Sequence, residues 1–210
     1  LESNEYKQLK EIGLHGVFVY QETYNANAYP TYHPSGRKAD FRFRLETPER
    51  IGEAGIHKIG MGSLIGLEDW RTEAYFTALH IDYLKRKFWQ SKFSVSFPRL
   101  RPYAGQGFQP NHVATERHLV QLISAYRLFD KDLELSLSTR ESPHFRDNAF
   151  PLGITAMSAG SKTGPGGYTG SQALEQFAVH DDRSPLEVAD AIKNRGFEPV
   201  WKDWDSCLQA

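Results

Sequence analysis

Apolar residues along the chain fall into short continuous runs that alternate with longer stretches of helical spacing. The short runs are rich in β-branched and aromatic residues and predict strands at 16–20, 57–67, 92–97, 133–139 and 153–160. The longer stretches carry apolar residues every three or four positions, which predicts amphipathic helices. Alternating strands and helices predict an α/β fold in which helices cover a parallel sheet.

Two of these helices have a predicted buried face. The first face consists of Trp70, Ala74, Ala78, Ile81, Leu84 and Phe88, and the second of Leu119, Leu122, Ile123, Tyr126 and Phe129. Capping signals mark other helices. Thr47 and Ser142 are predicted N-caps, and Ser184 with Glu187 forms a predicted capping box for a helix that ends at Gly196.

Polar residues follow each of the predicted strands. They occur at 21–23, 62–63, 96–99, 139–141 and 158–161. In a (β/α) barrel the carboxyl ends of the strands meet on one face, and catalytic groups come from several of them. We therefore predict one shared cavity. The alternative, that such residues only cap helices, is equally good for Thr139 and Ser142 but does not explain Glu22, Arg99 or Arg140.

The chain supplies about five of the eight strands that a (β/α) barrel requires. It also starts at Leu1, in a segment that resembles a helix already under way, so we expect a fragment or a processed chain. Residues 1–161 are predicted to form the C-terminal part of a barrel. Residues 162–210 are predicted to form a Gly-rich loop and a helical C-terminal extension.

Composition excludes several classes of protein. The formal net charge of −1 gives no basic excess for nucleic acid, and no apolar run approaches the ~18 residues of a membrane span. The basic segment at 85–87 suits the negative end of a helix dipole better than a nucleic acid. The single cysteine, Cys207, excludes an internal disulfide and favours a reducing, cytoplasmic location.

Other motifs do not predict a known site. The string GMGSLIGLE lies inside a predicted strand, so its glycines indicate close backbone approach to a ligand, or a bulge, rather than a dinucleotide fold. The string GSKTGPGG lacks the ending of a P-loop. The eight histidines show no metal-ligand spacing, so no metal site is predicted, and the acidic strings HDDR and DWD are predicted to be solvated.

Several longer strings carry a family resemblance. These are VYQETYN, YHPSGRKADFRFRLETPER, GIHKIGMGSLIGLEDWR, SFPRLRP, LSLSTRESPHFRDN, MSAGSKTGPGGY and EPVWKDWD. The chain resembles the 2-iminoacetate synthase (tyrosine lyase) family, radical S-adenosylmethionine (SAM) enzymes of thiamine biosynthesis. The resemblance covers essentially all 210 residues. A related tyrosine lyase of hydrogenase maturation shares some of these strings, so a related aromatic amino-acid lyase is an alternative.

The resemblance implies a radical SAM (β/α) barrel with a [4Fe-4S] cluster that an electron donor reduces. It implies cleavage of the Cα–Cβ bond of L-tyrosine to 2-iminoacetate (dehydroglycine) and p-cresol, with transfer of the imine to thiazole synthase. The family's three cluster-binding cysteines are absent, since the chain has only Cys207. We therefore expect the segment alone to be inactive. A non-catalytic docking module for thiazole synthase is the second hypothesis.

The resemblance also implies cofactor-binding residues. Glu22 and Arg44 match positions that hold the ammonium and carboxylate of SAM, and an acid and a guanidinium have the required charges. For Arg44, a salt bridge to Glu22 is an equally good interpretation. Leu64 and Ile65 match a strand segment near the adenine and are predicted to contact it through backbone and side chain.

Substrate-binding residues are implied at other strand ends. Arg140 is predicted to hold the carboxylate of tyrosine, because a planar guanidinium suits such a clamp, and Ser158 to orient the amine. Arg99 and Arg101 are weaker candidates that alternatively brace the rim of the barrel.

Overall fold

The computed structural model of the chain describes residues 1–100, 112–162 and 179–201. The chain divides into two compact units, Leu1–Glu134 and Leu135–Ala210. The predicted domain boundary after residue 161 stays a prediction. Within the described ranges, none of the helices has both the length and the apolar character that crossing a bilayer requires.

The first unit contains three parallel strands and the helices that connect them. Its strands are β1 (Gly16–Phe18), β2 (Lys58–Met61) and β3 (Lys92–Ser96). Its helices are α1 (Ser3–Glu11), α2 (Tyr29–Tyr32), α3 (Phe41–Leu45), α4 (Thr47–Glu53), α5 (Trp70–Lys87) and α6 (Glu116–Phe129). Strand β2 lies between β1 and β3 and pairs in parallel with both. The predicted parallel α/β arrangement is confirmed.

Thr47 does not cap a helix, and this prediction is wrong. The short helix α3 ends just before α4 begins, so the N-cap position belongs to Glu46, whose backbone is already helical. The Thr47 hydroxyl instead donates a hydrogen bond to the Phe43 carbonyl at 2.8 Å. It therefore stabilises the junction between two consecutive helices.

The predicted helix at α5 is confirmed, but its buried face is different. The buried residues of this helix are Trp70, Glu73, Thr77, Ile81 and Leu84. Ala74 and Ala78, which were predicted to face the core, are only half-buried. The polar side chains of Glu73 and Thr77 occupy the inward positions instead. On α6 the predicted face is buried except for Phe129, which is 47% exposed.

A buried ion pair lies at the start of the strands. Lys58, the first residue of β2, forms a salt bridge with Glu134. The carboxylate of Glu134 also accepts a hydrogen bond from the Ser94 hydroxyl at 3.0 Å. The pair therefore neutralises two charges in the interior of the first unit.

The second unit contains two parallel strands. Its elements are β4 (Glu134–Leu137), whose first residue belongs to the first unit, α7 (Pro143–Ala149), a 3-10 helix (Phe150–Leu152), β5 (Ala156–Met157) and α8 (Pro185–Asn194). Ser136 of β4 lies opposite Ala156 of β5. The predicted N-cap at Ser142 and the capping box of Ser184 are both confirmed.

Candidate functional site

The carboxyl ends of the first three strands lie side by side. Beyond the regular strands, Glu22 pairs with Ser63 and Ile65 pairs with Arg99, both in parallel. The backbone N–H of Leu64 donates a hydrogen bond to the Glu22 carbonyl at 2.7 Å. The structure therefore brings the sequence-predicted residues at these three strand ends together.

Glu22 has a strained backbone. Its φ of 72° makes it, among the described residues, the one non-glycine residue with positive φ. Its side chain is 14% exposed, and its carboxylate lies 3.2 Å from the Lys38 ammonium and 3.8 Å from the Arg44 guanidinium. A non-glycine residue with positive φ persists only where surrounding contacts hold it in place. Such residues cluster at active sites and ligand-binding sites.

Arg44 lies on α3 and has two partners. Its Nε donates a hydrogen bond to the Tyr20 carbonyl at 2.8 Å, while its Nη2 is 3.8 Å from Glu22. The predicted alternative of a salt bridge with Glu22 is therefore present, but as a loose pair. An acid with two cations beside it fits a zwitterionic ligand, which carries an ammonium and a carboxylate on one carbon.

Leu64 and Ile65 differ in what they offer a ligand. Ile65 is buried, its N–H donates to the Pro98 carbonyl at 2.8 Å, and its carbonyl accepts from the Leu100 N–H at 2.7 Å. Leu64 is half-buried. The Leu64 side chain is therefore more accessible than that of Ile65.

Arg99 contacts the start of α6. Its Nη1 donates a hydrogen bond to the Ala114 carbonyl at 2.9 Å, and its Nη2 lies 4.0 Å from Glu116. These contacts match the alternative that Arg99 braces the rim. Arg101 and Cys207 lie outside the described residues.

In the second unit, the two candidate substrate residues follow paired strands. Arg140 comes after β4, and its N–H donates to the Ser138 hydroxyl at 3.3 Å. Ser158 comes directly after β5, and its N–H donates to the Leu137 carbonyl at 3.1 Å. That these residues share one cavity with Glu22 stays a prediction.

A buried ionic network in the second unit is absent from the sequence prediction. Asp181, in the string HDDR, is fully buried and forms salt bridges with Arg146 and Arg183. Arg183 also contacts Asp147 at 2.9 Å. The prediction that HDDR is solvated is therefore wrong for Asp181, because Arg146, which forms the buried ion pair with it, lies 35 positions away in the sequence. In the sequence, the only indication of this network is that the strings FRDN (145–148) and HDDR (180–183) each contain an arginine next to an aspartate.

Glu73 is a second buried acid that sequence reasoning missed. Its carboxylate accepts hydrogen bonds from the Thr23 hydroxyl at 2.6 Å and from the Tyr24 N–H at 2.9 Å. Burial raises the pKa of Glu73, although these two hydrogen bonds oppose the change. Glu73, which lies in the first turn of α5, thus holds the backbone that immediately follows Glu22.

Helix α5 also holds the same loop about two turns further on. The Tyr24 hydroxyl and the His80 Nδ1 lie 3.0 Å apart, within hydrogen-bonding distance. Burial lowers the pKa of His80 to about 4, so this histidine is neutral at pH 7. Thr23 and Tyr24 therefore contact α5 at two levels, which restricts the loop that carries Glu22.

The glycines of β2 and its end accommodate protein atoms. A Cβ at Gly60 would lie 2.0 Å from the Phe18 ring, and one at Gly62 would lie 2.5 Å from the Ser96 carbonyl oxygen. The close approach at these glycines is to neighbouring strands of the chain, and the predicted approach to a ligand stays a prediction. The sequence expectation of a ligand at these glycines is not needed to explain them.

The described residues do not fit an iron–sulfur cluster. Proteins hold [4Fe-4S] clusters with cysteine thiolates, and the whole chain has one cysteine. No group of three or more His, Cys, Asp or Glu suited to a metal ion occurs in ranges 1–100, 112–162 and 179–201. A cluster would therefore need ligands from outside this sequence.

Comparison with known proteins finds similar sequences and one matching domain family. The Biotin and Thiamin Synthesis associated domain matches residues 96–198. Over 210 residues the chain is 56% identical to 2-iminoacetate synthase of Escherichia coli (strain K12) and 54% identical to that of Salmonella typhimurium (strain LT2). The chain is similar to 2-iminoacetate synthases. The alignments cover 99% of this chain and 55% of each relative, so it spans about half their length.

Solved structures confirm the predicted fold class. HydG, a maturase of the [FeFe]-hydrogenase, is 33% identical with a TM-score of 0.90, covering 100% of this chain and 45% of HydG. HydG from Carboxydothermus hydrogenoformans is also 33% identical, with a TM-score of 0.85, and the match covers 99% of this chain and 48% of that HydG. Methylornithine synthase (PylB), at 17% identity and a TM-score of 0.72 over 99% of this chain and 59% of PylB, shares the fold.

Glu73→Ala is expected to lower the free energy of unfolding by about 2–3 kcal/mol. The change leaves the Tyr24 N–H and the Thr23 hydroxyl buried without their acceptor. Glu73→Gln keeps an acceptor and is expected to change stability by less than about 1 kcal/mol. Urea unfolding of both variants measures the difference, and equal losses would contradict the assigned hydrogen bonds.

The stability that Glu73 contributes is also expected to depend on pH. Because burial raises the pKa of Glu73 above its ordinary value of 4.5, the folded state binds the proton more tightly than the unfolded state. The contribution of Glu73 to stability therefore falls as the pH rises through 4.5 towards the raised pKa. Glu73→Gln should remove this part of the pH dependence.

Proposed function

We propose that this chain is the SAM- and substrate-binding part of a 2-iminoacetate synthase. The complete enzyme cleaves the Cα–Cβ bond of L-tyrosine to 2-iminoacetate and p-cresol, and the imine passes to thiazole synthase. Identity of 56% to named 2-iminoacetate synthases, against 33% to HydG, favours this reaction over that of the related maturase. The observation that carries the proposal at the site is the strained Glu22 with Lys38 and Arg44 beside it.

Bound SAM would supply the radical chemistry of the reaction, and the cluster that this chemistry requires would be held by cysteines outside this sequence. Within the chain, the Glu22 carboxylate accepts hydrogen bonds from the ammonium of SAM, and Arg44 pairs with its carboxylate. Leu64 and Ile65 form an apolar wall for the adenine. The chain's own contribution is thus to bind and orient the cofactor.

Arg140 and Ser158 are proposed to orient tyrosine. The Arg140 guanidinium holds the carboxylate and the Ser158 hydroxyl accepts a hydrogen bond from the amine, whereas Arg99 is a weaker candidate for substrate binding. Positioning matters here because a radical removes whichever hydrogen atom lies nearest, and small displacements of reacting atoms lower rates steeply.

Arg140→Lys in the complete enzyme is expected to reduce the rate of p-cresol formation by about tenfold or more, because an ammonium cannot make the bidentate contact of a guanidinium. The affinity for SAM should change by less than about twofold. Arg195→Lys is a control, since Arg195 is exposed beyond α8. An unchanged lyase rate and tyrosine affinity would remove Arg140 from the site.

The dependence on outside cysteines can be tested with the chain itself. After reconstitution with iron and sulfide, we expect neither cluster absorbance nor p-cresol from the isolated chain, whereas the complete enzyme should give both. Either signal from the isolated chain would contradict the proposal.

A docking role towards thiazole synthase is the second candidate, and one surface feature favours it. The outer face of α5 exposes Tyr75, Leu79 and Tyr83, spaced four residues apart, by 46–61%. Apolar side chains exposed as a continuous stripe are typical of protein-binding surfaces. Co-elution of the chain with thiazole synthase, combined with no lyase activity of the complete enzyme, would favour docking alone.

A further inference from the structure

The second unit contains a fully buried pair of opposite charges next to both candidate substrate residues. Arg146 of α7 and Asp181 each have 0% of the side chain exposed, and they form a salt bridge. Asp181 also accepts hydrogen bonds from Arg183 at 2.7 and 2.9 Å. A buried pair of this kind often contributes little net stability compared with apolar side chains of similar size, because both charges must be desolvated.

The pair holds two strand ends in addition to balancing charge. The second terminal nitrogen of Arg146 donates a hydrogen bond to the carbonyl of Ser158, at the end of β5. The backbone N–H groups of Asp181 and His180 both donate to the carbonyl of Thr139, at 3.1 and 2.9 Å. Thr139 directly precedes Arg140, so one ionic unit fixes the backbone at both candidate substrate positions.

A third contact completes the unit. The Gly160 N–H donates to the Arg183 carbonyl at 3.0 Å, and Arg183 forms two hydrogen bonds with Asp147, at 2.9 and 3.2 Å. Helix α7, the end of β5 and the segment 180–183 are thereby joined through side chains that are themselves tightly held. Positioning groups achieve accuracy when a second layer of charged contacts restricts them in this way.

We propose that Arg146 and Asp181 are positioning residues for the substrate, and that they set the spacing between the backbone at Arg140 and the backbone at Ser158. The inference rests on the proposed function, because it assumes that these two residues contact tyrosine. It assigns a role to the segment 180–183 that lies beyond the strand ends themselves. Arg146 and Asp181 act through their neighbours and do not contact the reacting atoms.

The test uses Asp181→Asn and Arg146→Lys in the complete enzyme. Both variants retain polar side chains of similar size, but a neutral amide or a single ammonium cannot hold all the partners at once. We expect the ratio of p-cresol to 5′-deoxyadenosine to fall by about threefold to tenfold, since misplaced tyrosine is not cleaved when the radical forms. Asp181→Glu keeps the negative charge, so its ratio of p-cresol to 5′-deoxyadenosine should lie between that of Asp181→Asn and that of the unmodified enzyme.

Glu134→Gln is the matched control. It weakens another buried ion pair, with Lys58 at the starts of β2 and β4, so it should lower the unfolding midpoint without changing the product ratio. If Glu134→Gln lowered the ratio of p-cresol to 5′-deoxyadenosine as much as Asp181→Asn does, the effect would be one of general destabilisation. That result would overturn the proposal. An unchanged ratio in both Asp181→Asn and Arg146→Lys would overturn it as well.

Hydrogen exchange separates this proposal from the proposed function. In Asp181→Asn the amides of Asp181 and Gly160 should exchange at least about threefold faster, because a weakened ionic unit opens more often. Unchanged exchange there would refute the positioning role. If the unmodified complete enzyme makes no p-cresol, the proposed function fails, while faster exchange would still support Arg146 and Asp181 as the residues that hold these strand ends.

Discussion

Glu22→Gly in the complete enzyme is expected to weaken SAM binding about 100-fold, which corresponds to the loss of a charge-assisted hydrogen bond of about 2–3 kcal/mol. The same change is expected to raise the free energy of unfolding by about 1 kcal/mol, because glycine adopts positive φ without steric penalty. The backbone at Glu22 has a φ of 72°, and the ion pairs that are lost are one with the exposed Lys38 and a loose one, at 3.8 Å, with Arg44. Function and stability should therefore change in opposite directions.

Glu22→Gln separates the two effects. It keeps the strained backbone and the size of the side chain but removes the negative charge, so SAM affinity should fall without a gain in stability. Calorimetric titration with SAM and urea unfolding measure the two quantities. If both variants bound SAM with unchanged affinity, Glu22 would not be the ammonium ligand, and its strain would need another explanation.

Asp181→Ala is expected to lower the free energy of unfolding by about 3–5 kcal/mol, because it leaves the fully buried Arg146 without its counter-charge. The exposed ion pair between Asp190 and Lys193 on α8 provides the control. There the atoms are 3.7 Å apart with both side chains more than 60% exposed. Asp190→Ala should change stability by less than about 1 kcal/mol. Similar losses in both variants would contradict the buried pair.

The stability that Asp181 provides should also depend on pH. Burial raises the pKa of Asp181, but hydrogen bonds from Arg183 and the charge of Arg146 outweigh it, so the net pKa is lowered. A lowered pKa means that the unfolded state takes up the proton first as the pH falls. The contribution is therefore complete above pH 3.8, the ordinary value, and is lost at lower pH. Acid unfolding of the chain and of Asp181→Asn should show this difference.

The sequence was sufficient for features that depend on neighbouring residues. Continuous apolar runs predicted the strands, and the caps at Ser142 and Ser184 follow from short-range hydrogen bonds to residues three positions away. The prediction for Thr47 was wrong even at short range, because the five-residue helix α3 ends immediately before α4 and places Glu46 at the N-cap position. A competing local element changed the role of a residue that had the right chemistry for a cap.

The buried acids could not be predicted because their partners are distant in the sequence. Glu73 contacts Thr23 across 50 positions, and Asp181 contacts Arg146 across 35. In a single sequence each acid resembles a solvated surface residue. At the candidate site, Glu22 and Arg44 could be selected from family resemblance, but the positive φ of Glu22 and the loose 3.8 Å pair required coordinates.

The contact between Phe18 and Gly60 has a consequence for how related sequences vary. A methyl group at position 60 would overlap the ring of Phe18, with a separation of 2.0 Å. An alanine at position 60 therefore requires either that the Phe18 ring move or that a smaller residue occupy position 18, and the two positions should covary. Among many homologues, this pair should give a coevolution signal that matches the pairing of β1 with β2, in which Phe18 is opposite Gly60.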